Sequence, residues 1–438
     1  MNPQICASSR RPTHPAPAEK WLKEIATGTD QWWLQVAQQG TPLVLEQDQY
    51  GCELMFLWRQ PVAEETPGAV LIELFSATAH PCDELTVMTH LSGTDVWYWQ
   101  IRLPANWRGS YRLVPVPKHR LPAPMPAARR LRRQWWIEVL EQFAEADTLN
   151  PNPSYGALEQ SPLSWFDLGL GDNNRVQPIA PAGQRYVVDW HSELLANQRE
   201  VLLYRTSSLS ESAAGSAARP LILLLDGQWW SRELPVFEEL DQLTVEGLLP
   251  AADYLLLPSL DNDTRYRELG DSGSFWQALQ QELLPLLQSQ IRDLASQVEL
   301  VTGQSLGGLA ALVAHLQWPE QFAAALCQSS SFWWNDVTFA DMDHPHPEQA
   351  PLIQQVLHER FPQPQLRRRV MLQAGRYEPG MDRLSAFMHQ ALRLTGHHSR
   401  FDYFNGGHDR ICWRSALLEG ICQHFSANPF LAKGGSGL

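Results

Sequence analysis

Lysine is nearly missing from this 438-residue chain: four (Lys20, Lys23, Lys118 and Lys433) stand against thirty arginines. Acidic residues outnumber both together, 48 to 34, and the formal net charge is −14. That balance argues against wholesale binding to nucleic acid or to an anionic membrane, whose phosphates call for a basic surface. Cysteine is scarce as well. Cys6, Cys52, Cys82, Cys327, Cys412 and Cys422 form no CxxC pair and no zinc-type spacing, which leaves no metal cage and points to free thiols. No stretch approaches 18 consecutive apolar residues, so no membrane-spanning helix is expected. The first residues, "MNPQICASSRRPTHPAPAEK", lack the apolar core of a secretory signal. Pro and His follow Arg10-Arg11 where a twin-arginine signal would have an apolar run. A soluble cytoplasmic protein is expected.

What is present is enough to build cores. Hydrophobic residues make up 44% of the chain, and at roughly 150 residues per domain two or three domains are expected. Eighteen tryptophans are many, and core packing is expected to account for most of them. The pairs Trp229-Trp230 and Trp333-Trp334 have the look of an aromatic pocket wall. Arginine grips planar anions in a fork, so a local anion site is compatible with the acidic background.

The pattern changes along the chain. "GCELMFLWRQP", "GAVLIELFSATA", "DVWYWQIRLP" and "GSYRLVPVP" are short apolar or alternating runs cut by Gly, Pro and Asn, the signature of a β-sandwich. "AARRLRRQWWIEVLEQFAEAD" reads as a basic amphipathic helix with a solvated face. From Arg185 onward, strands alternate with helices. "PLILLLDGQWW", "ADYLLLPSLDN" and "VELVTG" are runs typical of buried parallel strands, and the alternation implies a mostly parallel sheet with helices on both faces. The organisation expected is a flexible N-terminus (1–29), a β-sandwich (30–165), a linker (166–184), a catalytic-type α/β domain with a mostly parallel sheet (185–428) and a flexible tail (429–438). The Ser-rich stretch at 206–219 reads as a loop, and 341–365 as an insertion over one end of the sheet.

Within the second domain, Gly303-Gln304-Ser305-Leu306-Gly307 is GxSxG, entered by an apolar strand and left by an Ala/Leu-rich helix. That context is a nucleophile elbow, in which glycines at 303 and 307 make room for a strained serine. A serine hydroxyl needs a base. In this fold the acid and then the histidine follow the serine in the chain. His408, in "NGGHD" after an apolar strand, has that position. The acid is expected after the penultimate strand. Glu378 is the choice, with Asp382 as the alternative, although Asp382 also suits a helix N-cap. The oxyanion hole calls for the backbone N–H of Leu306 and a second N–H from the loop after "LLLDGQ", best supplied by Gln228, with Asp226 bracing that loop through backbone amides.

"VTGQSLGGLAAL", "LCQSSSFWW", "LLLDGQWW", "RELGDSGSFWQALQQELLP" and "GGHDRICWR" resemble the esterase-D-like α/β-hydrolases, and within them the enterobactin (enterochelin) esterases. "GTDVWYWQIRLPANWRGSYRLVP" resembles that family's N-terminal immunoglobulin-like sandwich. The resemblance implies hydrolysis of the ester bonds of a cyclic triserine catecholate siderophore, free or ferric, in the cytoplasm. It implies Ser305 as nucleophile, His408 as base and Glu378 at the acid position. It implies no resident cofactor or metal: iron arrives inside the substrate. A ferric tris-catecholate is anionic and aromatic, so Trp229, Trp230, Arg265, Arg267, Trp333, Trp334, Trp413 and Arg414 are its candidate binding residues. A general carboxylesterase or feruloyl-type hydrolase of the same fold, and a silent siderophore-binding protein, remain as alternatives.

Overall fold

In β10 (Leu221–Leu225), Leu221, Leu223 and Leu225 enter one core cluster while Ile222 and Leu224 enter another. Successive side chains of a strand point to opposite faces, so a run of five apolar residues builds a strand buried on both sides. In the computed structural model this strand lies inside an eight-stranded sheet. The structure describes residues 21–23, 26–61, 66–122, 125–156, 161–169, 182–207, 219–270, 273–334, 350–361, 369–378 and 380–426. Most of the expected N-terminal tail, interdomain linker and 206–219 loop, and all of the C-terminal tail, therefore lie outside the described residues; of the 341–365 insertion, residues 350–361 are described and carry a helix, Pro351–Leu357, that buries Leu352, Ile353 and Val356. The chain divides into two compact units, Met1–Gly171 and Asp172–Leu438.

The first unit holds β1 (Leu43–Gln47), β2 (Gly51–Arg59), β3 (Ala69–Leu74), β4 (Thr89–His90), β5 (Val96–Pro104), β6 (Arg108–Val116) and β7 (Ser164–Asp167). They form two antiparallel sheets, β1-β2-β5-β4 and β3-β6-β7. Aromatic rings join the sheets: Phe56 of β2 meets Tyr111 of β6 at 4.8 Å and Phe166 of β7 at 5.8 Å. The immunoglobulin-like sandwich is thus as expected, but its N-terminal edge is helical. Helix α1 (Asp30–Gln39) is capped by Thr29, whose hydroxyl accepts from Trp32 N at 3.3 Å, and it buries Trp32, Trp33 and Val36. Thr-Asp ahead of that apolar spacing is a helix start, which the strand reading passed over. Helix α2 (Arg129–Phe143) buries Trp136 and Val139 and leaves most of its arginines toward solvent; Arg129 pairs with Asp83 at 2.9 Å.

The second unit adds β8 (Gln184–Ser192), β9 (Asn197–Arg205), β11 (Asp253–Leu257), β12 (Val298–Gln304), β13 (Ala325–Gln328), β14 (Arg369–Gly375) and β15 (His398–Phe404) to β10. Its helices are α3 (Phe237–Val245), α4 (Asn262–Gly270), α5 (Gly273–Ala278), α6 (Leu284–Gln290), α7 (Leu306–Gln317), α8 (Pro351–Leu357), α9 (Met381–Leu394) and α10 (Arg410–Ser426). A π turn, Leu279–Leu283, joins α5 to α6. Strand order is β15-β14-β13-β12-β10-β11-β9-β8, with β9 antiparallel to both its neighbours, β11 and β8, and every other adjacent pair parallel. One core cluster packs α5, α6, α7 and α9 on the sheet, and the other packs α3 and α10. Among the described residues no helix is long and apolar enough to cross a membrane.

This order fixes where a ligand can enter. From β10 the chain moves to β11 on one side, and from β12 to β13 on the other. The loops leaving these neighbouring strands diverge. In open parallel sheets, such a switch point opens the binding crevice at the carboxyl ends of the strands. Gly227-Gln228 leaves β10 there, and Ser305 leaves β12.

Candidate active site

Ser305 is the one residue between β12 and α7, with φ 55° and ψ −117°. A non-glycine residue in that region stores about 1–3 kcal/mol of strain. Local bonds hold it. Ser305 N donates to Gln328 O at 2.9 Å, and its carbonyl accepts from Gly308 N (3.1 Å), Leu309 N (3.2 Å) and Ser331 N (3.0 Å). A Cβ at Gly303 would fall 2.4 Å from the Gly307 carbonyl, and one at Gly308 2.2 Å from Ser330 Oγ. A Cβ at Gly307 would meet nothing nearer than Asp226 Oδ2, at 3.3 Å. Gly303 therefore makes room as expected, while Gly308, more than Gly307, is the second position closed to a side chain. Ser305 Oγ lies 3.2 Å from Ser331 Oγ. The first amides of α7, beginning with Leu306, lack intrahelical acceptors and gather at this residue.

The β10 turn closes the other side. Arg265, which holds Asp226 of that turn, also brings Nη2 to 3.4 Å from Gln304 O beside the elbow. Asp226 has φ 51° and a fully buried carboxylate. Arg265 grips it bidentately, Nε to Oδ1 at 2.8 Å and Nη2 to Oδ2 at 2.7 Å, and Ser259 Oγ donates to Oδ1 at 2.7 Å. Asp226 thus braces the loop through side chains rather than through the backbone amides expected. Gln228 anchors its own side chain by accepting from Ser259 N at 2.9 Å.

Glu378 and His408 come from the two following strand ends. Glu378 is buried, and its Oε1 accepts from Ser329 Oγ at 2.8 Å. Its Oε2 faces His408 Nδ1 at 3.9 Å and has no hydrogen-bond partner among the described residues. The His408 ring stands edge-on to Trp413, with centroids 4.6 Å apart. Gly406, at φ 136°, turns the chain after β15, and its carbonyl accepts from Tyr377 N at 3.1 Å, tying the acid loop to the histidine loop. Asp382 lies elsewhere in role. It sits inside the first turn of α9, and its Oδ1 accepts from Gly380 N (3.2 Å) and Arg383 N (2.7 Å). The cap itself is Gly380 at φ 100°, a correction to the N-cap reading of Asp382. Asp409 caps α10, its Oδ1 accepting from Ile411 N at 3.2 Å.

The binding candidates separate. Trp229 stacks on Trp413 at 6.3 Å and lies under the guanidinium groups of Arg265 (5.3 Å) and Arg410 (4.3 Å). Arg410 was missed in the sequence, although it stands two residues beyond His408. Trp230 is 0% exposed in the core cluster with Phe237 and Leu240, so it is a core residue and no pocket wall. Arg414 is tied to Glu239 at 2.6 Å and to Leu234 O at 3.3 Å, and Arg265 to Asp226. Both are fold braces rather than the open forks expected. Arg267 bonds Thr264 within its own helix at 3.2 Å. Trp333 is buried, and Trp334 stacks on half-exposed Tyr266 at 5.5 Å. Among the described residues, no group of three or more His, Cys, Asp or Glu is placed to hold a metal.

A parallel sheet with a strained serine at its switch point and a carboxylate–histidine pair on the following strand ends defines an ester hydrolase of the α/β-hydrolase class. The comparisons agree: a model described as "putative esterase" matches residues 199–424, and one described as "enterochelin esterase, N-terminal" matches residues 53–170. The chain is 37% identical to the iron(III) enterobactin esterase of Dickeya dadantii over 91% of its own length and 94% of that protein. It is 32% identical to that of Escherichia coli K12, over 91% and 97%. The chain belongs to the enterochelin esterase family. Among solved structures, the enterobactin esterase of Shigella flexneri, determined in the presence of enterobactin, matches with a TM-score of 0.76 at 31% identity, covering 92% of this chain and 100% of that one. The ferric enterobactin esterase of Salmonella typhimurium matches with a TM-score of 0.77 at 30% identity over the same shares.

Proposed function

We propose that this chain hydrolyses the ester bonds of the enterobactin triserine lactone, free or iron-loaded, in the cytoplasm, releasing linear dihydroxybenzoylserine oligomers and monomer. The observation that carries the reading is the extent of the likeness: it runs through both units and spans nearly the full length of relatives named for this substrate. A generic esterase would match the second unit alone.

In the proposed mechanism His408 takes the proton of Ser305 as Oγ attacks a lactone carbonyl, and Glu378 orients the imidazole and offsets its charge. The N–H groups of Leu306 and Gln228 receive the oxyanion. The leaving serine alkoxide departs with the proton from His408. Water then repeats the sequence on the acyl-enzyme. Trp229 is buried against Trp413 and beneath the guanidinium groups of Arg265 and Arg410, so it backs the site and offers no open face to a catecholate ring. Iron enters as cargo of the substrate, and serine-based ester cleavage needs no resident cofactor.

Steady-state rates on ferric enterobactin, iron-free enterobactin and p-nitrophenyl butyrate test the substrate. Catalytic efficiency on the siderophore is expected to exceed that on the aryl ester by at least about 100-fold. Efficient cleavage of the aryl ester with none of the siderophore would overturn the reading in favour of a general esterase. Absence of turnover on all three would favour a binding protein.

A further inference from the structure

We propose that Ser329 is a positioning residue for Glu378: its hydroxyl, oriented by the Trp413 indole, fixes which carboxylate oxygen is left to face His408. The inference rests on reading Glu378 as the acid of the site.

Ser329 leaves the end of β13 at φ 46°, fully buried, with its N–H on Gln373 O at 2.7 Å. A serine held in the left-handed region inside a core is an unusual use of backbone strain, and such strain collects at functional sites. Its Oγ lies 2.8 Å from Trp413 Nε1 and 2.8 Å from Glu378 Oε1. The direction of this chain of bonds is settled by chemistry. An indole N–H only donates, so Ser329 Oγ must accept from it. The one hydroxyl proton is then left for Glu378, whose ionised carboxylate only accepts. Oε1 is thereby occupied, and Oε2 is the oxygen turned to His408 Nδ1, 3.9 Å away. Without the clamp the terminal torsion of a glutamate is broad and roughly two-fold, and nothing else among the described residues bonds either oxygen.

The clamp is referenced to the sheet. Gln304, Gln328 and Gln373 occupy adjoining positions near the ends of β12, β13 and β14. Gln304 Nε2 donates to Gln328 Oε1 at 2.7 Å, and Gln328 Nε2 donates to Gln373 Oε1 at 2.8 Å and to Trp413 O at 3.2 Å. Trp413 is therefore held by the same strand ends that present Ser305, Ser329 and Glu378, while its ring packs edge-on against His408. The spacing of three parallel strands sets the position of the carboxylate.

The alternative is a core serine that merely satisfies a buried acid. A double-mutant cycle in the full chain separates the two, using p-nitrophenyl butyrate turnover with thermal melting as a folding control. Ser329→Ala is expected to lower kcat about 10-fold, the loss of one hydrogen bond to a charged group, with KM changed by less than about twofold. Glu378→Gln is expected to lower kcat at least about 100-fold. If Ser329 acts through Glu378, adding Ser329→Ala to Glu378→Gln costs less than about twofold more. An equal factor in both backgrounds, or an unchanged kcat in Ser329→Ala, overturns the inference while leaving the acid reading intact. Wild-type turnover in Glu378→Gln overturns the acid reading and the inference with it. Should Ser329→Ala fold poorly, Trp413→Phe keeps a ring against His408 and removes the N–H together with part of the indole's bulk, a change of volume that the comparison of the two backgrounds cancels. Its expected loss is about threefold in kcat, absent in the Glu378→Gln background; equal losses in both would again overturn the inference.

Discussion

Arg265 comes within 3.4 Å of Gln304 O, next to the elbow, yet its fork is committed to Asp226, whose carboxylate is fully buried. Breaking a buried pair leaves an uncompensated charge and costs about 3–5 kcal/mol. Arg265→Met is therefore expected to lower the melting temperature markedly. Arg265→Lys is expected to recover only part of it, because an ammonium group cannot reproduce the two-pronged contact. A raised KM at unchanged melting temperature would contradict this and return Arg265 to the ligand. The turns that carry Ser305 and His408 were legible in the sequence because glycine spacing and the apolar strands leading into them constrain the backbone directly. Arg265 and Arg414 were not, since residue type reveals a fork but not the carboxylate that occupies it. Trp229 and Trp230 were not separable either. They are adjacent in the π turn Trp229–Glu233, and only the fold decides which one enters the core.

Among elements, the buried apolar strands were the most readable and α10 the least. Its buried stripe runs through Cys412, Trp413, Ala416, Leu417, Gly420, Ile421, His424 and Phe425, a helical spacing disguised by its glycine and histidine. Both have local reasons. A Cβ at Gly420 would fall 2.7 Å from Leu326 Cδ2, and His424 Nε2 lies 2.9 Å from Glu299 Oε1. Helix α9 carries a testable histidine. His389 Nδ1 lies 2.9 Å from Ser399 Oγ of β15. Burial pushes the His389 imidazole below its ordinary value, Arg393 adds to this, and Asp402 opposes it. The unfolded chain thus binds this proton more readily than the folded one. The contribution to stability is complete above the unfolded value of about 6.5 and is lost as pH falls through the folded value. Melting temperature is expected to drop between pH 7.5 and 5.5, and His389→Gln to flatten part of that slope. Identical slopes in both proteins would contradict it.

At the scale of the whole molecule, strand order decides where chemistry is placed. The crossover from β11 to β12 sets the loops after β10 and β12 on diverging paths, and the strands added beyond β12 bring Ser329, Glu378 and His408 to the same edge of the sheet. The alternation of strand and helix in the sequence implied the parallel sheet. It did not reveal the order of the strands, which depends on long-range pairing, nor the serine clamp that the order creates. Mass spectrometry of ferric enterobactin incubated with wild-type chain and with Ser305→Ala tests the central claim most directly. Wild-type chain is expected to yield linear dihydroxybenzoylserine trimer, dimer and monomer, while Ser305→Ala, with an unchanged melting profile, is expected to slow their appearance at least about 10⁴-fold. The same products at the same rate from Ser305→Ala would contradict the assignment of the nucleophile, and intact siderophore with wild-type chain would contradict the assignment of the substrate.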